Sequence, residues 1–162
     1  AHVVNESIDL LSESLRRHVR IEPDESLDQL GKVKAARIAL QQVLTNLLIN
    51  AAESIETGSR QAGRGQIRIH GASEVVEGVP MAHLRIEDNG AGIPSDKLPR
   101  IFERGFSTKN RGSGLGLHWS ANTVSAMNGR IYAESDGPGQ GAIFHLLLPL
   151  AQDAAEFAER DQ

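Results

Sequence analysis

The 162-residue chain contains no cysteine. Disulfides, thiolate metal sites and a catalytic thiol are excluded by that fact alone. No apolar run approaches the ~20 residues that a membrane span requires, and no signal peptide is visible. The reading is a cytoplasmic domain without direct membrane contact. Positive charge is not in excess either: 17 Lys and Arg against 21 Asp and Glu leave a net charge of −4. That balance argues against a nucleic-acid partner, although a local basic patch fits within it. No internal repeat and no second domain can be traced. What is present is ordinary for a globular protein, with 40% hydrophobic and 23% charged residues, and the length suits one domain with a real core. Helical spacing starts at once from Ala1, which predicts a piece of something longer.

Val4, Ile8, Leu11 and Leu15 keep helical spacing and predict an opening amphipathic helix. His18–Pro23 and Lys32–Ala35 read as short strands around a polar turn, and Arg37–Thr57 as a long helix. Gln66–Ala72 and Ala82–Asp88 alternate as paired strands with a bend at Glu77–Pro80. From Asn89 to Ser113 there is little regular pattern beyond a turn of helix between Ser95 and Phe102. Leu117, Ala121 and Val124 then carry a helix that Gly129 is expected to end, and Gly129–Ser135 and Gly141–Pro149 read as two last strands. The predicted architecture is an α/β sandwich, one mixed sheet covered by helices on one face. Residues 1–150 form the domain, and residues 151–162 a helix-prone, peripheral tail.

Four stretches carry chemistry. In Gln42–Ser54, residues Gln42, Asn46 and Asn50 fall four apart and share a helical stripe beside Glu53. Asparagines at the lip of a core can coordinate a ligand; a merely solvated face more often recruits Lys and Glu, which are better helix formers. In Leu84–Pro94, alternation turns Asp88 to the side of Leu84 and Ile86. An inward carboxylate must find donors, and Gly90 and Gly92 let the backbone turn and approach a ligand; a self-capping strand-end turn is the plainer alternative. The irregular segment that follows exceeds the usual loop length, as lids often do. It carries Arg100, Arg104, Lys109 and Arg111, with Phe102 and Phe106 as anchors and Thr108 and Lys109 able to face an anion. Last, Gly112, Gly114 and Gly116 open a helix. They match neither a Walker A loop nor the Rossmann spacing, but a glycine-rich turn that closes a basic lid and exposes a helix N-terminus reads as a phosphate cradle.

In this order the stretches resemble the catalytic and ATP-binding domain of sensor histidine kinases, in the GHKL superfamily shared with gyrase, the large heat-shock chaperones and MutL. NLLINAAES is similar to the N box, DNGAGI to the G1 box, IFERGFSTK to the F box and GSGLGL to the G2 box, with GAIFHLLLP as the closing strand. The resemblance covers nearly the whole chain. It implies a Bergerat-type sandwich with a flexible ATP lid, ATP as the bound nucleotide and Mg²⁺ as its metal. It implies that Asp88 accepts the adenine amino group, with Gly90, Gly92 and Ile93 beside it, and that Asn50 binds Mg²⁺. Lys109, next to Thr108, would meet the terminal phosphate, and the backbone of Gly112, Gly114, Leu115, Gly116 and Leu117 would wrap the phosphate chain. The implied reaction is transfer of the γ-phosphoryl group to a histidine on a separate dimerisation domain, with a response regulator downstream.

Two departures bear on this. Gly141-Ala142 stands where relatives often have Gly-Thr, so a hydroxyl that supports the adenine-side water network is absent from that place. Asn46 stands where ATP-hydrolysing relatives place a glutamate base, and an amide takes no proton. Hydrolysis is therefore disfavoured, while phosphoryl transfer, which rests on positioning and charge neutralisation, keeps Asn46 and Lys109 as its catalytic residues. None of His2, His18, His70, His83, His118 or His145 has the sequence context of a phosphoacceptor. His18, His70, His83 and His145 lie in strand patterns and are expected simply to pack. The acceptor domain is expected upstream of Ala1. The alternatives are a stand-alone serine kinase of the anti-sigma type, a nucleotide-sensing module that transfers nothing, and a true ATPase.

Overall fold

The computed structural model describes residues 1–11, 19–58, 65–106 and 115–151. Helix α1 is His2–Asp9, α2 is Arg37–Thr57 and α3 is Gly116–Ala126. The strands are β1 (Val19–Pro23), β2 (Gly65–Val76), β3 (Val79–Asp88), β4 (Arg130–Glu134) and β5 (Ala142–Pro149), in the sheet order β1-β2-β3-β5-β4. Only β1 and β2 pair in parallel. A parallel pair needs a long crossover, and α2 lies in it.

Helix α2 forms because residues 37–57 contain neither glycine nor proline and place apolar side chains at helical intervals. Leu40, Val43, Leu44, Leu47, Leu48, Ala51 and Ala52 are all buried. They face Ile67 and Ile69 of β2, Leu84 and Ile86 of β3, and Phe144, Leu146 and Leu148 of β5. Each large side chain so buried contributes roughly 1.5–3 kcal/mol, and this single seam fixes α2 across the centre of the sheet. The expected sandwich of one mixed sheet and helices is the observed fold.

Boundaries differ in instructive ways. The β2–β3 hairpin runs further than the alternation suggested, closing at Val76↔Val79. Its two loop residues, Glu77 at φ 52° and Gly78 at φ 83°, match the twist of a tight hairpin. Lys32–Ala35 is not a strand: one isolated bridge joins Val33 to Leu150. Helix α3 ends before Gly129, with Asn128 at φ 56° in the left-handed role and the Gly129 amide donating to Val124 O at 2.9 Å. The opening helix stops at Asp9; Leu15, His18 and the tail from residue 152 lie outside the described residues.

Candidate functional site

Along α2, Asn46, Asn50 and Ser54 recur every four residues and so line one stripe. Eight residues of helix span ~12 Å. At one end of this track is the start of α3. The Asn46 amide donates to Gly116 O at 3.4 Å and to Ser120 Oγ at 3.3 Å, and its oxygen accepts from Gln42 at 3.0 Å. Asn50 lies half-buried one turn further on. At the other end is Asp88, the last residue of β3 and only 4% exposed. Its Oδ1 accepts from Ser54 Oγ at 3.2 Å and from the Gly90 amide at 2.8 Å. The inward carboxylate has found its donors.

The loop after Asp88 is strapped down on two sides. Toward α2, the Ala91 amide donates to Ser54 O at 2.9 Å. Toward the β4–β5 loop, Gly139 N donates to Ala91 O at 2.7 Å and Ile93 N to Ser135 Oγ at 3.0 Å. Ser135 in turn donates to Gly141 O at 2.6 Å. The two glycines serve this strapping. A Cβ at Gly90 would stand 2.4 Å from Ser54 Oγ; one at Gly92, where φ is 69°, would stand 2.1 Å from Gly137 O. Both are close approaches of protein to protein.

At the far end, α3 begins after Leu115 with no side-chain cap and no acidic residue in its first turn. Among the described residues its first amides are therefore not answered by a capping side chain, and its positive dipole end suits an anion. Gly116 takes ordinary helical dihedrals, and among the described residues of other elements a Cβ there would meet nothing nearer than the Asn46 amide at 4.0 Å. Leu115 is 46% exposed, whereas Leu117 packs against the core. His118 is a fastener: its Nδ1 lies 3.0 Å from Phe102 O and its Nε2 3.2 Å from Asn122 Nδ2. Phe102 sits edge-on to Phe144 with centroids 6.3 Å apart, and Phe106 also packs on the core, so the expected anchors hold. Thr108, Lys109, Gly112 and Gly114 lie outside the described residues.

Sequence reasoning missed Ser54 and Ser135. The first was within reach, since the four-residue stripe that picked out Asn46 and Asn50 continues to Ser54. Ser135 had no local signal; only the packing of two loops gives it work.

The model of the histidine kinase-, DNA gyrase B- and HSP90-like ATPase family matches residues 35–152. The chain belongs to that family. Similar curated proteins include the histidine-protein kinase AtoS of Escherichia coli, 39% identical over 127 residues, 76% of this chain and 19% of that protein. The sensory histidine kinase/phosphatase NtrB of Rhizobium leguminosarum is 36% identical over 166 residues, 95% of this chain and 41% of that protein. The chain thus spans less than half the length of these relatives. The catalytic domain of histidine kinase ThkA, in a nucleotide-free form, superposes with a TM-score of 0.70 at 26% identity, over 91% of this chain and 90% of that one. Family and fold together make this a catalytic, ATP-binding domain of the histidine kinase type.

The residues fit the family's nucleotide. A buried carboxylate acceptor at one end of the track and the uncapped start of α3 at the other match a base with an amino group and a chain of phosphates. The donor set also fits Mg²⁺. No three His, Cys, Asp or Glu side chains stand together as a metal site among the described residues, and magnesium takes few protein ligands, preferring phosphate and water. Asn50 is the residue that would hold it.

Proposed function

We propose that this domain binds Mg²⁺·ATP along the α2 track and donates the γ-phosphoryl group to a histidine on a separate, dimerising helical domain of the same protein. The observation that carries this reading is the placement of Asp88, buried and doubly bonded, at the base end of a polar track that leads past Asn50 to the start of α3. Asp88 accepts the adenine amino proton and so selects adenine over guanine. The α3 start and the glycines before it supply main-chain N–H groups to the phosphates. Lys109, matching the family's motif in the sequence, would serve the terminal phosphate. Asn50 would hold Mg²⁺, which would supply charge neutralisation to the phosphates; in the transfer, the bond between the γ-phosphorus and the β,γ-bridging oxygen breaks. ADP leaves, and the imidazole nitrogen of the acceptor forms the new bond. A response regulator would then take the phosphoryl group, and the domain would work on the cytoplasmic side; among the described residues no helix is long and apolar enough to cross a membrane.

Asn46 supports transfer over hydrolysis, because its amide is committed to α3 and has no basic atom with which to activate water. The test mixes the chain with γ-labelled ATP, with and without the acceptor hairpin of its parent protein. Label on the hairpin's histidine, with only trace hydrolysis by the chain alone, is the expected result; brisk hydrolysis without the hairpin overturns the reading. Lys109→Ala should lower transfer more than ADP binding, since its charge serves the phosphate that ADP lacks.

A further inference from the structure

Helical serines and threonines commonly return their hydroxyl to the carbonyl one turn earlier. Ser7 does so to Val3 O at 2.7 Å, Thr45 to Gln41 O at 2.8 Å, Thr57 to Glu53 O at 2.9 Å and Ser120 to Gly116 O at 2.8 Å. Ser54 departs from this habit: its hydroxyl leaves α2 and donates to Asp88 Oδ1. Its carbonyl also works outward, accepting from Ala91 N on the loop after β3 as well as from Gly58 N and Thr57 Oγ1. The sheet offers Asp88 no side-chain donor, for its partners across β2 and β5 are Ile67 and Ala142. The donor has to come from the main chain or from α2. Gly90 completes the fit, because any side chain there would occupy the place of the Ser54 hydroxyl.

We propose that Ser54 is a positioning residue for base selection: it fixes the rotation of the Asp88 carboxylate, so that the acceptor is already aimed when a 6-aminopurine arrives. This rests on the reading of Asp88 as the base acceptor. With Gly90 N and Ser54 Oγ both on Oδ1, the carboxylate plane is held by two donors from different elements. Losing one loosens the hold on the last side-chain torsion, which is broad and roughly two-fold. The cost falls on recognition of the amino group, not on the phosphates or the metal, which lie further along α2.

The experiment compares binding of ADP with that of the purine riboside diphosphate that lacks the amino group, for the wild-type chain and for Ser54→Ala, Ser54→Cys and Ser54→Thr. Wild type should prefer ADP. Ser54→Ala should lose about tenfold in ADP affinity, the worth of one hydrogen bond to a charged acceptor at the lower end of its range, with little change toward the analogue. Ser54→Cys keeps the volume with a weak donor and should follow alanine; Ser54→Thr should restore the preference. Magnesium dependence should be unmoved throughout. An unchanged preference in Ser54→Ala and Ser54→Cys overturns the assignment, as does an equal loss toward both ligands. Failure of wild type to distinguish the two ligands would instead overturn the reading of Asp88 itself.

Discussion

On the covered face of the sheet, Ile67, Ile69, Ile86, Phe144 and Leu146 are at most 1% exposed, and Asp88 is the polar side chain buried beside them. On the opposite face the same strands carry a different economy. There Glu74 of β2, His83 of β3, His145 of β5 and Glu134 of β4 form a row across four strands. Tyr132 stacks on the His145 ring, 4.3 Å between centroids and 6° from parallel. Contact with α2 makes the first face dense and lets it set one carboxylate for a ligand. The second face joins cross-strand polar pairs, which contribute little each, to the buried Met81 and Leu147. Stability should therefore reside on one face and ligand recognition at that face's edge, while the other adds fine adjustment.

Truncating the covered face should produce the largest effect. Phe144→Ala removes a ring packed on Phe102 and Ile86's neighbourhood, and should cost about 3–5 kcal/mol, read as a lower urea midpoint. A loss below ~1 kcal/mol would erase the distinction between the faces. At the edge of that face, Asp88→Asn should separate binding from folding. One acceptor oxygen becomes an ambiguous amide, and a hydrogen bond to a charged group is worth about 1.5–3 kcal/mol. ADP affinity should fall about ten- to a hundredfold with the urea midpoint little moved. GTP competing as well as ATP for the wild-type chain would remove Asp88 from its role. On the open face, Glu134→Gln weakens the end of the polar row and should cost no more than ~1 kcal/mol. A loss as large as that of Phe144→Ala would contradict the comparison.

The same contrast explains what the sequence made legible. Helix α2 was readable to its ends because a run without glycine or proline carried one uninterrupted apolar arc. Asp88 was readable because strand alternation alone turns it inward. Less was readable where the decision was made between elements distant in the chain. Gly90 and Gly92 spoke for closeness, but only the fold says that the close neighbours are Ser54 and Gly137. Gly129 looked like a helix stop; in the fold Asn128 takes the left-handed turn, and a Cβ at 129 would stand 2.4 Å from Leu147 O. His83 and His145 fell in strand patterns and were expected simply to pack, since nothing local reveals that β3 and β5 are neighbours.

That pair gives the subtlest prediction. Glu74 Oε1 lies 3.2 Å from His83 Nδ1, His83 Nε2 lies 2.8 Å from His145 Nδ1, and His145 Nε2 lies 2.9 Å from Glu134 Oε2. With both carboxylates ionised, three contacts need three ring protons, one more than two neutral imidazoles carry. A fourth would set N–H against N–H at the central contact. Burial pushes the His83 pKa down from 6.5; Glu74 opposes the shift, His145 and Arg85 reinforce it, and Glu134 opposes it weakly. Tyr132, stacked on His145, has its pKa raised by burial, by Glu134 and by Glu74, so it stays uncharged. The unfolded chain thus takes up the His83 proton more readily than the folded one. Its contribution is full above pH 6.5 and is lost as pH falls through the depressed folded value. Urea midpoints at pH 7.5 and 5.5 should therefore fall more steeply for wild type than for His83→Gln, whose amide keeps a hydrogen bond without titrating. The other histidines act alike in both proteins, so the difference of slopes isolates the pair. It should be worth less than ~1 kcal/mol. Parallel slopes would mean that burial does not hold His83 neutral in the folded chain.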